Sequence, residues 1–164
     1  YKGKNNFVAH ECILDFRDLK SKTGLSVNDL AKRLIDYSFH APTISWPVPE
    51  TIMIEPTESE GLAELDRFCE AMLLIRGEIS EIENNNELKN NNVISNAPHT
   101  LKELIADNWY YPYSKEKASF PYKNSTTIKF WSSVSRINNA YGDRNLICSC
   151  NVNQEETLEE KKCA

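Results

Sequence analysis

The sequence predicts an α+β fold, and three observations carry that reading. Strand-like and helix-like patterns alternate over residues 1–83. Capping residues open the helical stripes, and Asn or Pro clusters close the segments. The strands are short and number two or three, too few for a doubly wound sheet. A small sheet with helices on one face fits best. At 164 residues the chain is about one domain. With 40% hydrophobic and 26% charged residues it has ordinary globular composition.

Phe7 to Phe16 reads as the first strand, with Val8, Cys12, Leu14 and Phe16 on one face beside His10. Ser26 is a good N-cap for a helix carrying Val27, Leu30, Ala31, Leu34 and Ile35, with Asp29 in its first turn. That helix should end near Ser38. Pro42, Pro47 and Pro49 argue against regular structure as far as Glu50. Thr51 to Glu55 reads as a short strand. Thr57 and Glu60 have capping-box spacing before a long helix over Ser59 to Glu83. Its stripe is Leu62, Leu65, Phe68, Cys69, Met72, Ile75, Ile79 and Ile82. Residues 84–97 form an Asn-rich connector, with seven asparagines between Asn84 and Asn96, and are expected to be a solvated loop. Thr100 and Glu103 form a second capping box, before a short helix through Leu101, Leu104 and Ile105.

Residues 98–150 are expected to be an irregular extension. Nine aromatics lie between Trp109 and Tyr141, and so aromatic a segment needs a surface to cover. It either wraps the first part or docks on something outside these residues. Leu146 to Ser149 is a candidate final strand, and residues 151–164 are a charged tail expected to be mobile.

Several function classes lack support. A net charge of −5 argues against a nucleic-acid binder, and no apolar run approaches the ~20 residues of a membrane helix. No two of the five glycines have phosphate-loop spacing. His10, His40 and His99 are far apart and suggest no metal site, and no Gly-x-Ser-x-Gly elbow occurs. The five cysteines are scattered, which fits free thiols in a reducing compartment. Cys148 and Cys150 are a tight pair. They are either ordinary residues of a terminal strand or a redox pair.

One segment stands out: His40-Ala41-Pro42-Thr43-Ile44-Ser45-Trp46-Pro47-Val48-Pro49. Three prolines stiffen it, two hydroxyls and an imidazole punctuate it, and Trp46 offers a flat apolar wall. Pocket linings are built this way. The other reading is a stiff connector whose Trp packs in the core.

This segment, with Thr51-Ile52-Met53-Ile54-Glu55-Pro56-Thr57-Glu58-Ser59-Glu60 and Glu64-Leu65-Asp66-Arg67-Phe68-Cys69, resembles the C-terminal region of the glycine cleavage system P-protein family. The likeness continues over Phe7 to Asp15, Ala31 to Leu34, Pro112 to Ser114, Ala118 to Pro121 and Tyr141 to Leu146. It spares only the Asn-rich connector and the residues after Cys150. The family is similar to pyridoxal phosphate enzymes of the aspartate-aminotransferase fold type, so this chain is expected to be their small C-terminal domain plus an extension. Family members are much longer, which implies a fragment.

The resemblance implies a part of a glycine decarboxylase that uses pyridoxal phosphate. Glycine would lose CO2, and the aminomethyl group would pass to the lipoyl arm of the H-protein. Expected partners are glycine, the lipoylated H-protein, the rest of the P-protein chain and a second copy in a dimer. The family's Schiff-base lysine lies in an upstream Gly-rich block, so no catalytic residue is assigned here. The strand Thr51 to Glu55 lacks the carboxylate-binding Arg of many fold-type relatives. A charged clamp would stabilise the ground-state carboxylate more than a transition state that is losing charge. His40, Thr43 and Trp46 are therefore expected to line the glycine end of the cleft. Arg144 is expected either near that cleft or in a structural ion pair. The alternative function is a non-catalytic module that docks on the H-protein or on a complete P-protein. The family resides in the mitochondrial matrix in eukaryotes and in the cytoplasm in bacteria. The Asn runs and charged tail favour a eukaryotic source.

Overall fold

A computed structural model describes residues 1–122 and 129–147. Its three strands form one antiparallel sheet in the order β1-β3-β2. They are β1 (Cys12–Asp15), β2 (Thr43–Ile44) and β3 (Thr51–Ile54). In β1, Cys12 pairs with Ile54 and Asp15 with Thr51, while Thr43 of β2 pairs with Met53. Two helices precede β2, α1 (Leu19–Thr23) and α2 (Val27–Asp36). The long α3 (Leu62–Asn84) follows the sheet, and three short helices complete the fold: α4 (Leu101–Ile105), α5 (Lys115–Ser119) and α6 (Asn139–Arg144). The α+β reading holds.

Local signals explain the main helices. The Asp29 carboxylate accepts from the Ser26 amide at 2.7 Å and from its hydroxyl at 2.8 Å, which anchors the start of α2. Its apolar stripe of Val27, Leu30, Ala31 and Leu34 is buried. Ile75, Ile79 and Ile82 bring the C-terminal half of α3 into the same core, which Ile52 of the sheet completes. In α4, Thr100 and Glu103 exchange the two bonds of a capping box, as the spacing predicts.

Several expectations are corrected. The first strand has four residues, not ten, because Phe7 and Val8 stand in solvent and, among the described residues, no strand pairs with them beyond Ile54. Helix α1 went unread: it is a single turn and ends at Gly24, whose φ of 79° supplies a left-handed cap. The proline-rich stretch does contain a strand. Thr43 and Ile44 lie between Pro42 and Pro47, so neither proline takes the place of a paired residue. The Thr57–Glu60 box does not form, because the Thr57 hydroxyl engages that of Ser59 at 2.7 Å, and α3 begins only at Leu62. Leu62, Leu65 and Cys69 of the expected stripe are exposed.

The Asn-rich segment is not simply solvated. Asn86–Lys89 form a 3-10 turn, after which Asn92, Val93, Ile94 and Ala97 are buried. The Asn92 side chain accepts from Ile94 and Ser95 amides and donates to the Leu88 carbonyl, so it closes a turn rather than facing water. Leu146 and Ile147 belong to no strand and are exposed. The rest of that candidate strand, together with Cys148, Cys150 and residues 151–164, lies outside the described residues.

Arg33 organises the interior. Its side chain is 0% exposed. Two bonds of 3.0 and 2.6 Å reach both oxygens of Glu78 on α3. One of 2.9 Å reaches Asp36, and two of 2.7 Å reach the carbonyls of Ala118 and Lys117 in α5. A guanidinium has five N–H donors, so all five are used. Burial alone would favour the neutral form, but the Glu78 carboxylate outweighs it and holds the guanidinium charged. Arg33→Met should lower the unfolding free energy by about 3–5 kcal/mol, because Glu78 and Asp36 would stay buried without their cation. Urea denaturation measures this. Arg33→Lys should rescue only part of the loss, since a lysine has three donors and no planar fork.

Candidate functional site

Two polar constellations are present, one buried and one exposed. The buried one continues from Arg33. Asp36 Oδ1 accepts from the His99 amide at 2.8 Å, and Oδ2 lies 2.8 Å from His99 Nδ1. A carboxylate only accepts, so Nδ1 carries the proton, and Nε2 lies 2.9 Å from the Tyr113 hydroxyl. Asn96 donates to that hydroxyl at 3.1 Å. Burial pushes the Tyr113 phenol up, so it stays a donor at neutral pH. Tyr111 and Tyr113 meet the His99 ring edge-on, both at 5.6 Å between centroids. His99 is only 2% exposed, and its amide and both ring nitrogens are engaged. The Asp36–His99–Tyr113 chain therefore has no free valence for a substrate. It fastens residues 109–113 to α2.

Sequence reading missed this cluster. By sequence His99 is only one of three histidines too far apart for a metal site. The usable signal was the alternation Trp109, Tyr111, Tyr113, which sets three aromatics on one side of an extended segment.

The exposed constellation is the proline-rich segment. His40 and Thr43 lie at the surface and Trp46 is 67% exposed, so the reading in which Trp46 packs in the core is set aside. Among the described residues, the side chains of His40, Thr43 and Trp46 make no hydrogen bond or ion pair. They share one surface segment. Their backbone is held firmly: the Ser45 amide donates to the Thr51 carbonyl at 2.8 Å, and the Thr51 hydroxyl donates to the Val48 carbonyl at 2.6 Å. Free side chains on a fixed backbone suit a surface that completes a site with other residues. Arg144 lies exposed on the last turn of α6 and, among the described residues, forms no ion pair. No group of three or more His, Cys, Asp or Glu among the described residues could hold a metal.

The described lysines do not offer a Schiff-base site. Lys32, Lys115, Lys117 and Lys129 are half-buried, and each donates to a carbonyl or carboxylate of its own fold. Other described lysines are exposed.

Lys129 donates to the Asp36 carbonyl, and its ammonium lies 5.3 Å from the centre of the Trp131 ring. Burial lowers it to about 8, with Asp36 opposing part of that shift. A lysine depressed in the folded state costs stability at neutral pH. The cost shrinks as pH rises from about 8 toward the ordinary value of 10.5, because the unfolded chain there binds the extra proton. The difference in unfolding free energy between the parent and Lys129→Met should therefore change across pH 8 to 10.5 in favour of the parent. Parallel denaturation at pH 7 and pH 10 checks the sign.

Comparison with known proteins places these elements. Residues 1–99 match the family described as "Glycine dehydrogenase, C-terminal domain". The chain is 60% identical over 150 residues to a glycine dehydrogenase (decarboxylating) of Prochlorococcus marinus strain NATL1A, covering 92% of this chain and 16% of the relative. The same-named protein of Thermosynechococcus vestitus is 58% identical over 152 residues, covering 93% of this chain and 16% of the relative. That of Aliivibrio fischeri strain ES114 is 55% identical over 150 residues, covering 92% and 16% respectively. The chain thus spans about one sixth of the length of the curated relatives it matches. On the family match and these identities together, the chain belongs to the glycine dehydrogenase C-terminal domain family.

Proposed function

We propose that this chain acts as the C-terminal part of a pyridoxal phosphate-dependent glycine decarboxylase. The observation that carries this reading is the 55–60% identity to glycine dehydrogenases over 150 or more residues, 92–93% of this chain. The described residues by themselves do not fit a site for the cofactor. Their half-buried lysines are engaged within the fold, and no glycine pair has the spacing of a phosphate cradle. The cofactor is assigned to the rest of a longer polypeptide, where it supplies the sink for the electron pair left when CO2 departs.

The part given to this chain is the wall of the glycine end. His40 and Thr43 contribute polar groups, and Trp46 an apolar face that excludes water. β3 places no cation in that wall, since it reads Thr51-Ile52-Met53-Ile54. A carboxylate leaving as neutral CO2 is favoured by such a surface, because no cation there holds the ground-state charge. The aminomethyl group is assigned to the lipoyl arm of an H-protein, and the complete enzyme to a dimer. A eukaryotic source carries the expectation of the mitochondrial matrix, a bacterial one the cytoplasm.

His40→Asn and Thr43→Val in the complete, cofactor-loaded polypeptide test the reading. Each should raise KM for glycine or lower kcat by about 10-fold, the scale of one hydrogen bond to a charged group. Unchanged values of both constants in both variants would overturn it. Binding of the chain to an H-protein, with no glycine turnover in the complete polypeptide, would favour the docking module instead.

A further inference from the structure

The turn from Ser45 to Glu50 is held in an unusual way. Ser45 has φ 55° and Glu50 has φ 57°, both in the left-handed region. Side chains with a Cβ occupy that region only where the surroundings over-determine it. Here the surroundings are explicit. The Ser45 amide donates to the Thr51 carbonyl at 2.8 Å, and the Glu50 amide donates to the Ser45 hydroxyl at 3.2 Å. The Phe16 amide, just past β1, donates to the Glu50 carbonyl at 3.0 Å.

The Glu50 side chain reaches the other way. Its Oε2 accepts from the amide of Val27 at 3.2 Å, across 23 residues of sequence. Val27 is the first residue of α2, and its amide is one of those a helix leaves without an internal partner. A carboxylate there also meets the positive end of the helix. Glu50 thus ties three pieces together: the end of β1, the start of α2 and the base of the loop. Trp46, at the far side of the turn, buries little of its ring in return. A strained turn that holds an aromatic out in solvent points to presentation rather than to core packing.

We propose that Glu50 is a positioning residue for the glycine end of the cleft. It clamps the Ser45–Glu50 turn to α2 and so fixes where Thr43 and Trp46 stand, without touching substrate. This rests on the cleft reading given under the proposed function.

The test uses the complete, cofactor-loaded polypeptide, with hydrogen–deuterium exchange alongside glycine kinetics. Glu50→Gly tolerates the backbone angle but removes the carboxylate. It should speed exchange of the amides of Val27 and of residues 45–51 by about 10-fold or more, and should raise KM for glycine several-fold. Glu50→Gln keeps an oxygen at the same reach, and should stay within about two-fold of the parent in both readouts. Should Glu50→Gly fail to fold, Ser45→Gly replaces it: it also tolerates its angle, and it removes the acceptor of the Glu50 amide. Loosened exchange at Glu50 and a raised KM support the proposal there too. Unchanged exchange, or loosened exchange with unchanged KM, overturns the role of Glu50 while His40→Asn and Thr43→Val remain kinetically impaired. Silent kinetics in those two variants overturn the cleft reading itself, and the proposal with it.

Discussion

Everything in this fold is arranged around a guanidinium that has been taken wholly out of water. Arg33 sits on the inner face of α2, and its five donors end on α2, α3 and α5. Desolvating such a group costs several kcal/mol, and the attraction of Glu78 and Asp36 offsets that cost only when each bond is made. The cluster therefore contributes less to net stability than to geometry. Packings that shift α3 by one turn, or that release α5, would strand a buried charge. This is why a charged residue can occupy a position in the middle of an amphipathic helix without weakening the core around it.

The same carboxylate that steadies Arg33 also organises the chain after the long helix. Asp36 receives both the amide and the imidazole of His99, and Tyr113 closes the chain of bonds from the other side. The aromatic extension is thus attached by polar bonds at its heart and by ring contacts around them, including Tyr122 edge-on to Tyr37 at 5.3 Å. Arg136 adds a further tie, pairing with Asp29 at the start of α2. Helix α2 is the common anchor. Its interior face holds α3 and α5, its end holds His99 and Lys129, and its beginning holds Glu50 and Arg136.

The proposed site lies in a region that this scaffold holds still but does not cover. The His40–Pro49 segment has a fixed backbone and free side chains, the reverse of the Arg33 cluster, where every polar atom is used. Sites need that combination, because a group already bonded within its own fold has little left to offer a substrate. The exposed leucines of α3, Leu62 and Leu73 among them, are open in the same sense: no partner covers them among the described residues.

The sequence by itself determined the elements whose causes are local. The α2 stripe, the Thr100–Glu103 box and the β3 strand are legible because caps, periodicity and side-chain shape act within a few residues. The proline-rich segment was legible as a candidate site for the same reason, since its stiffness and chemistry are carried by neighbouring residues. Tertiary structure decided what depends on distant partners. Phe7 and Val8 alternate like a strand, yet no edge among the described residues receives them. Asn92 and the residues after it look solvated, yet Val93 and Ile94 join the core that α3 lines, and Asn96 donates to Tyr113 of the extension. Arg33, Asp36, His99 and Tyr113 span 81 residues of sequence, and only the Arg33–Asp36 pair has a helical spacing. Only the packing of α2 against α3 and of the extension against α2 could bring those charges and rings together, because burial, unlike a helix cap, is created by the whole chain.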